Sequence, residues 1–258
     1  MDLPYEITDD RPPQIGLIVL QSDETIEPDM RRLMPDDVEL LVSRVPSGTH
    51  VTSESLAEME TVMTDAARLL PSGARFSAIG YGCTSGTAEI GAARVASLIK
   101  MGAATPVVTE PVSALIAACD TLSIDRLGIV SPYVESVSKT LQGVLEGNGV
   151  AVTSVASFNQ SEEEKVARIS PRSVLDATKT LAASTDCDAV FLSCTNLRTR
   201  DVIEAAEEAI EKPVLTSNQV LAWHLLRLTE VASCSNAPGF LWRTSVETRQ
   251  IAGPNVFA

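Results

Sequence analysis

The sequence predicts an α/β protein of two pseudosymmetric, open parallel-sheet lobes with helices on both faces and a site in the cleft between them. Three observations predict it. Short β-rich apolar runs alternate with longer helical patterns, the arrangement of parallel strands joined by crossover helices. The runs form two sets of three. Landmarks in the first set recur in the second at nearly constant spacing: Gly16 and Gly128 lie 112 apart, Cys83 and Cys194 lie 111 apart, and Pro106 and Pro213 lie 107 apart.

In chain order, the first set of strands is read from QIGLIVL, FSAIGYG and TPVVTE, and the second from RLGIVSP, DAVFLSC and KPVLTS. Between them, SESLAEMETVMTDAARLL carries Leu56, Met59, Met63, Ala66, Ala67 and Leu70 at helical intervals. Ser55 and Glu58 stand there at capping-box spacing. GTAEIGAARVASLIKMG reads as one helix stopping at Lys100, with Gly102 just beyond. VESVSKTLQGVLEGNG, SPRSVLDATKTLAAS and RDVIEAAEEAI repeat the plan. The lobes are expected at 1–121 and 122–244, with the tail 245–258 packing back on the first. SNQVLAWHLLRL is an amphipathic helix that makes Trp223 and His224 core or interface residues.

Composition narrows the function. A chain of 258 residues, 45% hydrophobic and 21% charged, has ample material for a core. Its net charge of −14 and the absence of clustered Lys and Arg argue against a nucleic-acid partner. No run reaches the roughly 20 apolar residues of a membrane helix, and the acidic start lacks a signal peptide's apolar stretch. The five cysteines include no C-x-x-C pair, so neither a disulfide framework nor a zinc site is suggested, and a cytoplasmic location is expected. Two histidines outside any metal-binding array make a metal centre or a Ser-His-Asp triad a poor reading. Self-association is left open.

Cys83 in GYGCTSGT and Cys194 in LSCTNLRT both follow an apolar run and precede a helical pattern. Ligands of open parallel sheets lie beyond the strands' carboxyl ends, so the two thiols are expected to face each other across the cleft. A helix start there supplies N–H groups and partial positive charge, which lower a thiol's pKa and attract carboxylate. Thr84, Ser85, Gly86 and Thr87 follow the first thiol, and Thr195 and Asn196 the second. One thiolate can take a proton from carbon or add to an activated double bond while the other exchanges a proton on the opposite face. That chemistry calls for no metal or organic cofactor. Cys119, Cys187 and Cys234 are read as ordinary core residues. GYGCTSG lacks the Lys and the spacing of a nucleotide loop. Arg198 and Arg200 are read as surface ion-pairing residues, and the run SEEEK as a solvated helix start.

These motifs, with GLIVLQSDETIEPDM and GIVSPYVESV, resemble the aspartate/glutamate racemase superfamily over nearly the whole chain, and within it the maleate isomerase and arylmalonate decarboxylase branch. The resemblance implies a two-lobed fold, no cofactor, and a small carboxylate or amino acid held between Cys83 and Cys194. It implies that Thr84, Ser85 and Tyr133 help hold a carboxylate, that Thr195 and Asn196 supply donors beside the second thiol, and that Asn159 contacts substrate. It also assigns Cys83 as the initiating thiolate and Cys194 as the proton donor.

The departures are informative. Decarboxylases of the branch keep only the second cysteine, so an intact Cys83 disfavours that activity. The polar loop after the first strand, Gln21-Ser22-Asp23-Glu24, carries an acid where maleate isomerases carry Asn, and is more like that of the ectoine-utilization members of the branch. Gln21 and Asp23 are counted among the substrate-binding residues. Asp23 would repel a carboxylate but pair with an ammonium group or orient a thiol; its plainer role is to cap a helix or shape the turn. The expected function is a cofactor-independent isomerase or racemase of a small carboxylic or amino acid. Maleate-type cis-trans isomerisation or decarboxylation is the alternative, and a two-lobed ligand-binding protein the non-enzymatic one.

Overall fold

A computed structural model of the chain describes residues 1–8, 10–231 and 237–244. The expected packing of the tail 245–258, and Cys234, lie outside them. The first half runs β1 (Gln14–Leu20), α1 (Ile26–Leu33), β2 (Glu39–Val45), α2 (Ser53–Arg68), β3 (Phe76–Gly82), α3 (Thr84–Ile90), α4 (Ala92–Gly102), β4 (Val108–Thr109) and α5 (Pro111–Leu122). The second half follows with β5 (Arg126–Tyr133), α6 (Glu135–Gly147), β6 (Ala151–Gln160), α7 (Glu163–Val166), α8 (Pro171–Ser184), β7 (Ala189–Leu192), α9 (Ile203–Ile210), β8 (Val214–Thr216) and α10 (Ser217–Leu228).

The strands form two parallel sheets with the same order, β2-β1-β3-β4 and β6-β5-β7-β8. Every residue of β1 is buried, as a central strand covered on both faces requires. The six strands read from the sequence are present, and two more complete the sheets. Both additions are edges. β6, AVTSVASFNQ, alternates between exposed and half-buried residues and is rich in Ser and Thr, so it gives no apolar run.

Three local expectations are corrected. The helix expected over GTAEIGAARVASLIKMG is two helices, because the chain turns at Gly91 with φ +91, and the second runs on through Gly102. The capping box of α2 is made by Thr52 and Ser55, with Ser55 as the inner partner rather than the cap. No α-helix starts at Thr195: residues after Cys194 make a turn, Arg200–Val202 a 3-10 turn, and α9 begins only at Ile203.

Helix α10 packs on α5, α1 and β3, tying the second half to the first. Its Val220, Leu221, Leu225 and Leu226 are fully buried, each contributing about 1.5 to 3 kcal/mol. Trp223 is buried too, and His224 Nδ1 lies 2.8 Å from Thr109 Oγ1, both as expected of core residues.

On α1, Asp29 faces inward and accepts a hydrogen bond from Asn218 Nδ2 at 2.9 Å. Burial pushes its carboxyl up to about 6. This folded value exceeds the unfolded one, so its contribution to stability is full below pH about 4 and is lost as pH rises through about 6. The loss is about 1.4 kcal/mol for each pH unit between the two values. Asp29→Asn keeps an acceptor for Asn218 and should flatten the decline in thermal midpoint between pH 4 and 7. An unchanged decline would show that Asp29 is not its source.

Candidate active site

In a sheet of order 2-1-3-4 the crossovers leave β1 toward one side and β3 toward the other, which opens a crevice at their carboxyl ends. Asp23 follows β1 and Cys83 follows β3; Tyr133 ends β5 and Cys194 follows β7. The two crevices meet in one enclosed cavity of about 10 Å3, roughly a single water's space. Leu20, Asp23, Leu56, Cys83, Thr84, Ser85, Tyr133, Glu163, Cys194, Thr195 and Asn196 line it.

Eight of the ten residues singled out in the sequence therefore line one space. Gln21 and Asn159 do not. Gln21 is exposed just past β1, its N–H donating to Val45 O at 2.9 Å. Asn159 is exposed on the edge strand β6 in a left-handed conformation, φ +53.

The thiols are not equivalent. Cys83 caps α3, its Sγ accepting from Gly86 N–H at 3.2 Å. Cys194 has φ +116, a strained conformation for a residue with a side chain. Its N–H donates to Ser217 Oγ at 2.9 Å, and its Sγ accepts from Asn196 N–H at 3.3 Å and lies 3.0 Å from Tyr133 Oη. Tyr133 donates its single hydroxyl proton to Glu163 Oε1 at 2.8 Å, so the Cys194 thiol is the donor toward Tyr133. The second thiol thus holds its proton inside a relay, while the first accepts from Gly86 N–H and is hydrogen-bonded to the buried Tyr81 hydroxyl.

Helix-start N–H groups were expected to lower both thiols, but burial overrides them. Cys83 is pushed up to about 12 by burial, with Glu163 and Asp23 adding to the effect. Cys194 is raised well above its ordinary value, again by burial first and by Glu163 and Asp23 next.

Leu20 and Leu56 on the wall, Tyr81 hydrogen-bonded to Cys83, and two polar residues, Glu163 and Ser217, escaped the sequence reading of the site. Glu163, within the run taken for a solvated helix start, is 3% exposed and accepts from Asn196 Nδ2 at 2.8 Å besides Tyr133. Val166 and Ala167, three and four positions on, are buried on the same helix face, the signal that could have marked it. Ser217 ties the two cysteine loops together: besides accepting from Cys194 N–H, its Oγ lies 2.8 Å from Thr84 Oγ1.

Asp23 performs the plainer role weighed for it. Its Oδ1 accepts from Thr25 N–H and Ile26 N–H, both at 2.8 Å, at the start of α1. The other oxygen, Oδ2, is buried with no close donor; the Thr195 hydroxyl lies near enough to lower the carboxyl's pKa, but its hydrogen bond goes to Gly82 O at 3.2 Å. Burial pushes this carboxyl up to about 6. Asn196 is committed elsewhere: its Oδ1 accepts from Glu24 N–H at 2.9 Å, while Nδ2 serves Glu163. Arg200 pairs with Asp201, but it is half-buried, with its Nε buried and without a hydrogen-bond partner.

Cross-lobe contacts lie beside Glu163. Val51 N–H donates to Ser161 O at 2.8 Å, Glu163 N–H to Thr49 O at 3.1 Å, and Arg168 pairs with Glu24 at 3.1 Å.

Comparison with known proteins agrees with this architecture. The arylmalonate decarboxylase of Bordetella bronchiseptica is 29% identical over 220 residues, covering 84% of this chain and 90% of the relative. The maleate isomerase of Geobacillus stearothermophilus is 26% identical over 230 residues, covering 83% and 90%. Among solved structures, a cysteine-to-serine mutant of the Nocardia farcinica maleate cis-trans isomerase, with a covalently bound succinylcysteine intermediate, superposes with a TM-score of 0.80 at 23% identity, covering 90% of this chain and 98% of that one. The family model described as arylmalonate decarboxylase matches residues 15–242, and the chain belongs to that family.

Proposed function

We infer that this protein is an isomerase or racemase of a small carboxylic or amino acid, working through Cys83 and Cys194 without a cofactor. The observation that carries the reading is the pair of thiols at the ends of β3 and β7, lining one cavity with different hydrogen-bond roles. Cys83 is the initiating thiolate and Cys194 the proton donor. In a racemisation, the Cys83 thiolate takes the α-proton, the C–H electron pair passes into the adjacent carboxylate as an enediolate, and Cys194 S–H returns a proton to the opposite face. In a cis-trans isomerisation, the Cys83 thiolate forms a C–S bond as the π pair passes into the far carboxylate as an enediolate, the chain rotates about what is now a single bond, and the returning pair reforms the double bond and expels Cys83 as thiolate. The succinylcysteine in the Nocardia farcinica mutant supports covalent chemistry at one thiol in that relative. Both halves supply the site, which supports treating 1–121 and 122–244 as two lobes of one enzyme. The four described cysteines are free and buried, in keeping with a cytoplasmic location.

The experiment is to incubate the protein in deuterated water with amino acids and small dicarboxylates. A racemase puts deuterium on the α-carbon, an isomerase converts maleate to fumarate, and a ligand-binding protein does neither. The last result across a broad panel would sink the reading.

The raised thiols give a further expected result. With Cys83 at about 12, roughly one molecule in 10^5 carries that thiolate at pH 7. Iodoacetamide should label the free enzyme slowly at neutral pH and faster as pH climbs, Cys83 ahead of Cys194. Peptide mapping that finds Cys194 labelled first would reverse the assignment.

A further inference from the structure

The start of α10 carries two buried polar side chains that the helix does not need for its own cap. Thr216 and Gln219 make the capping box between them. Ser217 and Asn218, both buried, are left free for other partners, and both reach the turn that carries Cys194. Ser217 Oγ accepts from Cys194 N–H at 2.9 Å, and Asn218 Nδ2 donates to Thr195 O at 2.9 Å, so the two bonds bracket Cys194. Between them lies its φ of +116. A residue with a side chain adopts such a backbone at a cost in stability, and keeps it only where the surroundings over-determine it. The same two side chains also reach the first lobe. Ser217 Oγ lies 2.8 Å from Thr84 Oγ1, and Asn218 Nδ2 donates to Asp29 Oδ2 at 2.9 Å. Asn218 adds a cost of its own, because its Oδ1 is buried without a hydrogen-bond partner. Strain at Cys194 and an unpaired amide oxygen beside it are two local costs at one junction, the pattern of a place held for function rather than for stability.

We propose that Ser217 and Asn218 are positioning residues of the two-thiol reaction: from the start of α10 they hold the Cys194 turn in its positive-φ conformation and fix it to the lobe that carries Cys83. The proposal rests on the two-thiol reading above and adds what sets the place of the second thiol. The held turn brings Cys194 Sγ to 3.0 Å from Tyr133 Oη and 3.3 Å from the Asn196 N–H. Helix α10 suits the task because it belongs to the second half in sequence yet packs on α5, α1 and β3 of the first, and β3 leads directly into Cys83. A proton donor works only within hydrogen-bond reach of the reacting carbon's face, and a displacement of about 1 Å costs about 100-fold. Neither Ser217 nor Asn218 lines the cavity, so each acts through Cys194 and not on the substrate.

Iodoacetamide labelling of the full-length protein with peptide mapping tests this, because it reads each thiol separately. Ser217→Ala removes the bonds to Cys194 N–H and to Thr84 together. It is expected to raise labelling of Cys194 relative to Cys83 at least about fivefold, the scale of one neutral hydrogen bond, as the released turn lets the thiol leave Tyr133. Ser217→Thr keeps the hydroxyl and should recover most of the wild-type ratio. Asn218→Ala should move the ratio in the same direction as Ser217→Ala, with a lower thermal midpoint because Asp29 loses its donor. On the substrate that the deuterium screen finds, Ser217→Ala should lower kcat about tenfold or more and change KM less. A role in stability alone would lower the midpoint and leave the labelling ratio where it was. An unchanged ratio in Ser217→Ala, an equal rise at both cysteines, or as large a shift in Ser217→Thr would each overturn the proposal. Labelling needs no substrate, which separates the proposal from the reading beneath it. A shifted ratio in a protein that neither exchanges nor isomerises leaves the brace standing and removes the enzyme, while turnover with an unchanged ratio does the reverse.

Discussion

Cys83→Ser and Cys194→Ser are each expected to lower turnover at least about 100-fold, the scale of losing a positioned acid or base, while the fold survives. Serine is a better helix cap than cysteine, so at position 83 it should hold α3 through Gly86 N–H at least as well. At position 194 serine inherits the same strained backbone, φ +116, and the same bond from the main chain to Ser217, and changes only the acid-base group. The two variants should differ in what survives. With Cys83 intact, Cys194→Ser keeps the initiating group and should retain partial chemistry with a reactive substrate, seen as a slow burst or a trapped adduct by intact-protein mass spectrometry. Cys83→Ser should yield none. Near-normal turnover in either variant, with thermal midpoints unchanged, would end the two-thiol mechanism.

The sequence carried the frame of this site because the frame is repetitive. Gly16 with Gly128 and Cys83 with Cys194 mark the same points in sheets whose strand orders turn out to be identical. The chemistry at a strand's carboxyl end then follows from the topology. Where the halves diverge, the repeat misled. Cys194 was credited with a helix start by analogy with Cys83, yet its loop turns through Arg200–Val202 before α9 begins. The thiols' ionisation was also misjudged, because a capping N–H is local and visible in sequence whereas desolvation depends on everything packed around the sulfur. Glu163 shows the same limit. Among three consecutive acids only the one on the face of Val166 and Ala167 is buried, and its partners Tyr133 and Asn196 lie 30 and 33 residues away in sequence. The edge strands β2 and β6 were missed because partial exposure dilutes their apolar pattern.

Gly86→Ala is expected to reduce turnover by about 100-fold without replacing a titratable group, because a reacting atom displaced by about 1 Å loses that much. By helix propensity alone the change should stabilise α3, Ala being favoured over Gly by up to about 1 kcal/mol. Space decides against it. A Cβ at position 86 would stand 2.8 Å from Tyr81 Oη, 2.9 Å from Cys83 Sγ and 2.9 Å from Met59 Cε. The Met59 end is flexible and yields. Tyr81 is fully buried and does not, which leaves the thiol to turn away from the Gly86 N–H that now holds it at 3.2 Å. Overpacking of this kind costs about 1 to 3 kcal/mol, so the variant should fold with a modestly lower midpoint. It should label at Cys83 with altered kinetics while Cys194, in a separate set of contacts, labels as before. If Gly86→Ala turned over at the wild-type rate, the position of Cys83 Sγ beneath α3 would not be what the chemistry requires.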